Sequence, residues 1–303
     1  MRYFLGMDVG GTRLRLGAVD ETGGQLCAPM KVISSECLAG DEEPAEVLEK
    51  VIRAYLKENG LDPGGLSAAG IGMPASVSKD LSTVCEVPNI PNRRLNGLPL
   101  GKQMTERMQV PVLVDKDVNL LLRCDMLQNG LTGITAGVYI GTGIGTAVSI
   151  DDRILYGTNG FAMDCGHVTV PGAAGICGCG KTGCAETIGS GRILRELGGR
   201  EFPDTPVGEL FAAHAGTKAL QEYMKACAFV PAMLCTVFDP CTLILSGGVV
   251  EMDGFPRDMM EKEILRQAGR AVAGAGFRFV YPAKNSARGI IGAALLAREK
   301  GMI

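Results

Sequence analysis

The chain has 303 residues, of which 46% are hydrophobic and 21% are charged, and this composition is typical of a soluble globular protein. The length is sufficient for one large domain or two medium-sized domains. The net charge of −3 and the lack of Lys and Arg runs exclude the basic surface that a nucleic-acid-binding or membrane-binding protein presents.

The N-terminal sequence and the cysteine content predict a cytoplasmic protein. Residues 1–5 lead directly into a predicted strand, so we expect no signal peptide. No apolar stretch approaches the roughly 18 residues that a membrane-spanning helix needs. The 11 cysteines are odd in number and form no spread-out framework, which favours reduced thiols in a reducing compartment.

Residues 3–20 predict a strand, a tight turn and a second strand, and residues 138–151 repeat this pattern. The turns contain Gly10, Gly11 and Thr12 in the first copy and Gly141, Thr142 and Gly143 in the second. The duplication predicts two related α/β lobes that face each other across a cleft. Backbone N–H groups and a threonine hydroxyl in each turn suit phosphate oxygens. A plain hairpin is the alternative for either turn alone.

Two further loops are candidates for ligand contacts. Residues 69–91 predict a buried strand and a proline-rich loop that contains Asn89, whose amide suits a vicinal diol because it offers both a donor and an acceptor. A simple turn residue is the alternative for Asn89. Residues 241–246 predict a buried strand that opens into Gly247 and Gly248, where a base or ribose can approach the backbone closely.

An acidic residue follows a short apolar strand at residues 112–114. Asp117 lies where this strand gives way to a predicted helix that ends at Gly130. The helix dipole favours the ionised carboxylate, so we expect a low pKa. Because phosphoryl transfer has a loose transition state, such a base need only orient a hydroxyl and accept its proton late. A helix cap without catalytic function is the alternative.

Residues 164–186 combine one of the two histidines of the chain with closely spaced cysteines. His167, Cys177, Cys179 and Cys184 form the Cys₃His set of a structural Zn²⁺ site. We expect positive φ angles or close backbone approach at Gly178, Gly180 and Gly183. A metal here would also fix the flanking carboxylates of Asp164 and Glu186. Incidental thiols in a glycine-rich loop and a disulfide are the alternatives.

The C-terminal part of the chain predicts scaffold helices. Residues 218–238 read as one long helix that is kinked at Pro231. Residues 287–299 predict a final helix whose Gly289 and Gly292 permit close packing against a neighbouring element.

Together these motifs resemble those of the ROK family of sugar kinases and repressors. The G-H pair followed by C-x-C-G-x-x-G-C-x-E is similar to the family's zinc signature, and D-x-G-G-T, G-T-G-x-G and G-G-V are similar to the actin/hexokinase-like (ribonuclease H-like) ATPase motifs. The resemblance covers the whole chain and implies a two-lobed α/β fold. Residues 1–116 with 289–303 would form the N-terminal lobe, residues 117–288 the C-terminal lobe with the zinc site, and two chains a homodimer.

The resemblance also implies a role for each motif in an ATP-dependent hexose kinase. Asp117 becomes the catalytic base, and Mg²⁺ bridges the ATP phosphates. The implied ATP contacts are Asp8, Gly10, Gly11, Thr12, Gly141, Thr142, Gly143, Gly247 and Gly248. The implied sugar contacts are Asn89, Lys116, Asp117, Asp164, His167 and Glu186, with His167 also a zinc ligand beside the three cysteines.

Two positions depart from the family pattern, which usually has Asn at Lys116 and Glu at Asp164. Several segments, including GMPASVSKD and VPNIP, are most similar to the D-allose kinase branch. We therefore expect D-allose as the substrate, with glucose, mannose or N-acetylmannosamine as alternatives. A repressor is disfavoured because Asp8 leaves no room for a preceding helix-turn-helix. A sugar-binding protein without turnover is disfavoured by the presence of Asp117 together with both glycine turns.

Overall fold

The computed structural model describes residues 1–87, 90, 92–274 and 276–301. They divide into two compact units. The first unit comprises Met1–Gly130, Tyr156–Ala162 and Asn285–Ile303, and the second comprises Leu131–Leu155 and Met163–Lys284. This division differs from the predicted boundary at 116/117, because the helix after Lys116 stays with the first unit and residues 156–162 return to it.

The first unit is built on a five-stranded sheet. In chain order its elements are β1 (Tyr3–Val9), β2 (Arg13–Val19), β3 (Lys31–Ser34), α1 (Pro44–Glu58), β4 (Leu66–Met73), β5 (Ser76–Val77), β6 (Val84–Glu86), α2 (Leu100–Met108), β7 (Val112–Lys116) and α3 (Asp117–Asn129). The strand order is β3-β2-β1-β4-β7. Strands β1, β2 and β3 pair antiparallel, whereas β4 pairs parallel with both β1 and β7.

The second unit repeats this plan. Its elements are β8 (Thr135–Ile140), β9 (Ile144–Ile150), β10 (Arg153–Ile154), α4 (Glu186–Gly189), α5 (Gly191–Glu201), α6 (Leu210–His214), α7 (Lys218–Cys227), α8 (Phe229–Phe238), β11 (Thr242–Ser246), α9 (Arg257–Ala268), α10 (Arg270–Gly274) and β12 (Arg278–Val280). The strand order β10-β9-β8-β11-β12 has the same sequence of antiparallel and parallel pairs. The predicted duplication of a strand–turn–strand unit is therefore confirmed.

The final helix, α11 (Arg288–Gly301), packs directly on the first sheet. A Cβ added to Gly6 of β1 would lie 1.9 Å from the carbonyl oxygen of Ile290, so only glycine permits this approach. A Cβ at Gly292 would lie 1.9 Å from the carbonyl oxygen of Leu120 in α3. The predicted close packing of the C-terminal helix is confirmed, and it explains why α3 belongs to the first unit.

The predicted single helix over residues 218–238 is wrong. The chain forms α7 and α8, which are separated at Ala228. Pro231 is the third residue of α8, where its missing N–H would have had no partner within the helix. The proline therefore marks a helix start instead of an internal kink.

Within the part of the chain that the structure describes, no helix combines the length and the apolar character that crossing a membrane requires.

Candidate active site

The first glycine turn joins β1 to β2 and is braced from both sides. The Gly10 N–H donates to the carbonyl oxygen of Arg13 at 2.8 Å, which closes the turn. The Ser35 hydroxyl donates to the carbonyl oxygen of Gly10 at 2.6 Å, and the Ser35 N–H donates to that of Thr12 at 3.1 Å. Gly11 and Thr12 remain exposed at the tip. The turn is therefore held in shape while its outer face is open to a ligand.

Asp8, two residues before this turn, forms an ion pair across the hairpin. Asp8 and Arg15 are register partners in β1 and β2, and the Arg15 Nη1 lies 3.3 Å from the Asp8 Oδ2. Burial raises the pKa of Asp8, although the adjacent guanidinium opposes this shift. The sequence analysis did not single out Arg15. Its position opposite Asp8 in a two-stranded hairpin was the available signal.

Asp117 is the first residue of α3 and is partly buried. Its Oδ1 accepts a hydrogen bond from the Val118 N–H at 2.8 Å. Burial, and then the negative charge of Asp8, raise the pKa of Asp117 to about 7, outweighing the Val118 N–H and the Lys116 ammonium. The predicted low pKa is therefore wrong. A carboxyl group that titrates near neutral pH is well matched to proton transfer in the cell.

Lys116 and Asp115, which precede Asp117, turn towards another part of the first unit. The Lys116 side chain is buried, and its Nζ donates to the carbonyl oxygen of Ala162 at 3.0 Å. Asp115 is 1% exposed and accepts a hydrogen bond from the Tyr156 hydroxyl at 2.6 Å. The sequence analysis assigned Lys116 to the sugar and gave no role to Asp115 or Tyr156.

The second glycine turn joins β8 to β9 and is anchored by backbone groups. The Gly141 N–H donates to the carbonyl oxygen of Gly143 at 3.0 Å. At the start of α5, the Gly191 N–H donates to the carbonyl oxygen of Gly141 at 2.8 Å, and the Arg192 N–H donates to that of Thr142 at 3.2 Å. A Cβ at Gly143 would lie 2.5 Å from the Glu186 Oε2. A predicted phosphate turn and a predicted sugar ligand therefore lie side by side in the second unit.

The predicted zinc ligands converge in the second unit. The ligand atoms of His167, Cys177, Cys179 and Cys184 all lie within 4.8 Å of one another. The Sγ atoms of Cys179 and Cys184 are 3.6 Å apart, and the His167 Nδ1 is 3.4 Å from the Cys177 Sγ. Tetrahedral Zn–S bonds of about 2.3 Å would place sulfur atoms about 3.8 Å apart. The thiols are free, so the disulfide alternative is not what the structure holds, and these four residues could bind a metal ion.

Two of the three glycines in this loop have the predicted conformations. Gly180 has a φ of +85° and Gly183 a φ of +78°, and a Cβ at Gly183 would lie 2.6 Å from the carbonyl oxygen of Ala173. The expectation is wrong for Gly178, where a Cβ would enter open space and φ is not in the left-handed region.

The acidic residues that flank the metal ligands have different environments. Glu186 lies at the first position of α4, and its Oε1 accepts a hydrogen bond from the Cys177 thiol at 3.0 Å. Asp164 is exposed, but the adjacent backbone is anchored because the Thr146 hydroxyl donates to the carbonyl oxygen of Met163 at 2.6 Å. The carboxylate of Glu186 is therefore held by a side-chain contact, whereas at Asp164 the adjacent backbone is what is anchored. Asn89 lies outside the described residues.

The predicted adenosine loop follows β11. Gly247 has a φ of +100°, and a Cβ there would lie 2.6 Å from the carbonyl oxygen of Ile140 at the end of β8. Gly248 is exposed and borders open space. Within the second unit, this loop and the second glycine turn therefore emerge from neighbouring strands.

Comparison with known proteins agrees with this arrangement. Residues 4–300 match the ROK family. A glucokinase of Halalkalibacterium halodurans is 26% identical over 99% of this chain and 96% of its own length. An N-acetyl-D-glucosamine kinase of Pectobacterium carotovorum is 26% identical over 82% of this chain and 85% of its own. The crystal structure of a ROK family glucokinase from Streptomyces griseus with glucose and AMPPNP has a TM-score of 0.76 at 26% identity, covering 98% of this chain and 99% of that one.

The structural similarity confirms the predicted actin/hexokinase-like α/β fold with its two sheets. Because the family match spans nearly the whole chain, this protein belongs to the ROK family.

Proposed function

We propose that this carbohydrate kinase uses ATP to phosphorylate the C6 hydroxyl of a hexose. The observation that carries the proposal is the position of Asp117 at the carboxyl end of β7, in the same sheet whose β1 leads through Asp8 into the first glycine turn. In a phosphoryl-transfer site, a carboxyl group in this position would act as the base. The glycine turn on the same sheet would bind the phosphates of the nucleotide.

In the proposed reaction, the sugar O6 attacks the γ-phosphorus of ATP. The O6–P bond forms, the bond from phosphorus to the β,γ-bridging oxygen breaks, and ADP leaves. Asp117 orients the hydroxyl and accepts its proton. The glycine turns would hold the phosphates through their N–H groups, and Gly247 and Gly248 would lie beside the adenosine. Mg²⁺ would supply positive charge that offsets the charge of the ATP phosphates.

The proposed sugar contacts are Asn89, Asp164, His167 and Glu186. The proposed metal is Zn²⁺, which His167 and the three cysteines would hold as a structural ion, since histidine nitrogen and cysteine sulfur are its preferred ligands. Its role is to fix the loop that carries Asp164 and Glu186. The assembly proposed from the resemblance is a homodimer.

Two substrates have separate support. D-allose is favoured by the sequence similarity, which includes the basic residue at position 116, whereas Asp164 departs from that branch as it does from the rest of the family. D-glucose is favoured equally by the glucokinases among the relatives. N-acetylmannosamine is the alternative with a larger C2 substituent.

The test is ADP release with ATP and Mg²⁺ across D-allose, D-glucose, D-mannose, D-fructose and N-acetylmannosamine. We expect turnover with at least one hexose, and the ratio of kcat/KM values identifies the substrate. Folded, zinc-loaded protein without turnover on any of the five sugars would overturn the kinase proposal.

A further inference from the structure

Residues 156–162, here called the clasp, are held at both ends by two consecutive residues of β7. At one end, the Tyr156 hydroxyl donates to the Asp115 Oδ2 at 2.6 Å. At the other end, the Lys116 Nζ donates to the carbonyl oxygen of Ala162 at 3.0 Å. The Ala162 N–H in turn donates to the carbonyl oxygen of Tyr156 at 3.2 Å and closes the loop. All these groups belong to the first unit.

The middle of the clasp is seated on the chain beside β5. Gly160 is buried with a φ of +88°, and a Cβ there would lie 2.1 Å from the carbonyl oxygen of Val77 and 2.9 Å from the Lys79 nitrogen. Only glycine fits this approach. Thr158 and Asn159 face solvent. The clasp is therefore fixed at its ends and its centre, although its outer residues are exposed.

Asp115 links the clasp to the first turn of α3. Its Oδ1 accepts hydrogen bonds from the Lys116 N–H and from the Asn119 Nδ2, both at 2.7 Å, while its Oδ2 is bound by Tyr156. Arg123 of α3 donates to the same Tyr156 hydroxyl at 3.0 Å and pairs with Glu299 of α11. A buried carboxylate with three donors is a rigid connection, because losing any one donor leaves a buried acceptor unsatisfied.

Asp117 directly follows Asp115 and Lys116 in the sequence. The Asp117 carboxylate accepts a hydrogen bond from the N–H of its neighbour Val118. Its position therefore depends on the backbone of the β7–α3 junction. We propose that Lys116, Asp115 and Tyr156 are positioning residues, which hold the clasp and the β7–α3 junction together and thereby set the place of the Asp117 carboxylate. This proposal rests on the proposed function, because it assumes that Asp117 is the base.

It also assigns Lys116 a role different from sugar binding. The family usually has Asn at this position, and the Lys116 ammonium reaches a backbone carbonyl of the clasp. Ala162 lies two residues before Asp164. The contact is made before that residue is reached, so Lys116 restrains the clasp and the chain that carries the base.

The test compares Lys116→Met, Lys116→Arg and Tyr156→Phe with the control Lys31→Met, which removes a surface lysine paired with Glu58. The measurements are kcat, sugar Kd by calorimetry and hydrogen–deuterium exchange of the clasp. We expect Lys116→Met to lower kcat about 10–100-fold, because small misplacements of a base are costly. Sugar Kd should change less than about threefold, and clasp amides should exchange faster while those of α1 do not. Lys116→Arg should recover part of kcat, Tyr156→Phe should lower it less, and Lys31→Met should change nothing.

Two results would overturn the proposal. One is a weakening of sugar Kd by more than about tenfold with unchanged kcat in Lys116→Met, which would make Lys116 a sugar ligand. The other is unchanged exchange of the clasp in both Lys116→Met and Tyr156→Phe. The exchange measurement needs no turnover. It therefore tests whether Lys116 and Tyr156 hold the clasp even if the wild-type protein phosphorylates none of the sugars.

Discussion

The two sheets of this protein share a strand order but carry different residues at their strand ends. In the first sheet, Asp8 is the next-to-last residue of β1, and Asp115 and Asp117 lie at the end of β7 and the start of α3. In the second sheet, Tyr139 occupies the place of Asp8 in β8, and the loops after β8 and β11 begin with Gly141 and Gly247. The duplicated strand order therefore carries carboxyl groups at the strand ends of the first sheet that the second sheet lacks at the position of Asp8.

The two glycine turns differ in how they are braced. The first depends on the Ser35 side chain and on the Asp8–Arg15 ion pair. The second depends on N–H groups at the start of α5 and lies against the Glu186 side chain. The same hairpin topology is therefore braced by side chains in the first unit and by the backbone of a following helix in the second.

The largest effect is expected from Asp117→Asn in the first sheet. Loss of the base should lower kcat by about 10²–10⁴-fold, because the amide cannot accept the C6 hydroxyl proton. Sugar binding should persist, since the amide keeps the shape of the carboxyl group. Steady-state kinetics and calorimetry separate the two quantities. Comparable activity in this variant would exclude Asp117 as the base.

The same variant should be more stable than wild type at pH 8. Because burial raises the pKa of Asp117 to about 7, above the unfolded value of about 3.9, the folded protein binds this proton more tightly. Its ionisation therefore destabilises the fold progressively between about pH 4 and pH 7. Urea denaturation should show a gain of about 1–3 kcal/mol at pH 8 that shrinks towards pH 5. A loss of stability at pH 8 would contradict this account of the site.

In the second unit, removal of the proposed metal should have the next largest effect on activity. Cys184→Ser replaces a buried cysteine of the proposed metal site and should abolish stoichiometric zinc, measured by mass spectrometry. Sugar KM should rise about tenfold or more because Asp164 and Glu186 lose their support. Cys227→Ser, at a buried cysteine outside the cluster, is the matched control and should keep its zinc. Full zinc content in Cys184→Ser would exclude the proposed ligand set.

The smallest effects are expected at the two adjacent glycines that follow β11, where the free energy of unfolding is compared. Gly247→Ala forces a Cβ against the Ile140 carbonyl in a left-handed conformation and should destabilise the protein by about 2–4 kcal/mol. Gly248→Ala points into open space and should change stability by less than about 0.5 kcal/mol. Urea denaturation compares the two. Equal destabilisation by both would show that the backbone at Gly247 does not approach the carbonyl oxygen of Ile140 as described.

Features set by local spacing were predictable from the sequence. Both glycine hairpins, the four metal ligands and the start of α3 at Asp117 follow from residues within about twenty positions of one another. The pKa of Asp117 was harder to predict from the sequence. Burial and the charge of Asp8, which is distant in the sequence, decide this pKa and outweigh the helix dipole.

The clasp contacts could not be predicted at all. Asp115 and Tyr156 are 41 positions apart, and Lys116 and Ala162 are 46 apart. No periodicity links such residues, and only the folded backbone brings them together. The break between α7 and α8 had a local signal in Pro231, but the apolar pattern of residues 218–238 continues through Ala228 and favoured one kinked helix over two.

The pH dependence of kcat/KM for the preferred sugar, at saturating ATP and Mg²⁺, tests most directly whether the first sheet performs the proton chemistry. Because the base must be ionised in the enzyme to which the sugar binds, kcat/KM should fall about tenfold per pH unit below an apparent pKa near 7 and reach a plateau above it. A profile that stays flat from about pH 5.5 to 8.5 would contradict the assignment of Asp117 as the base.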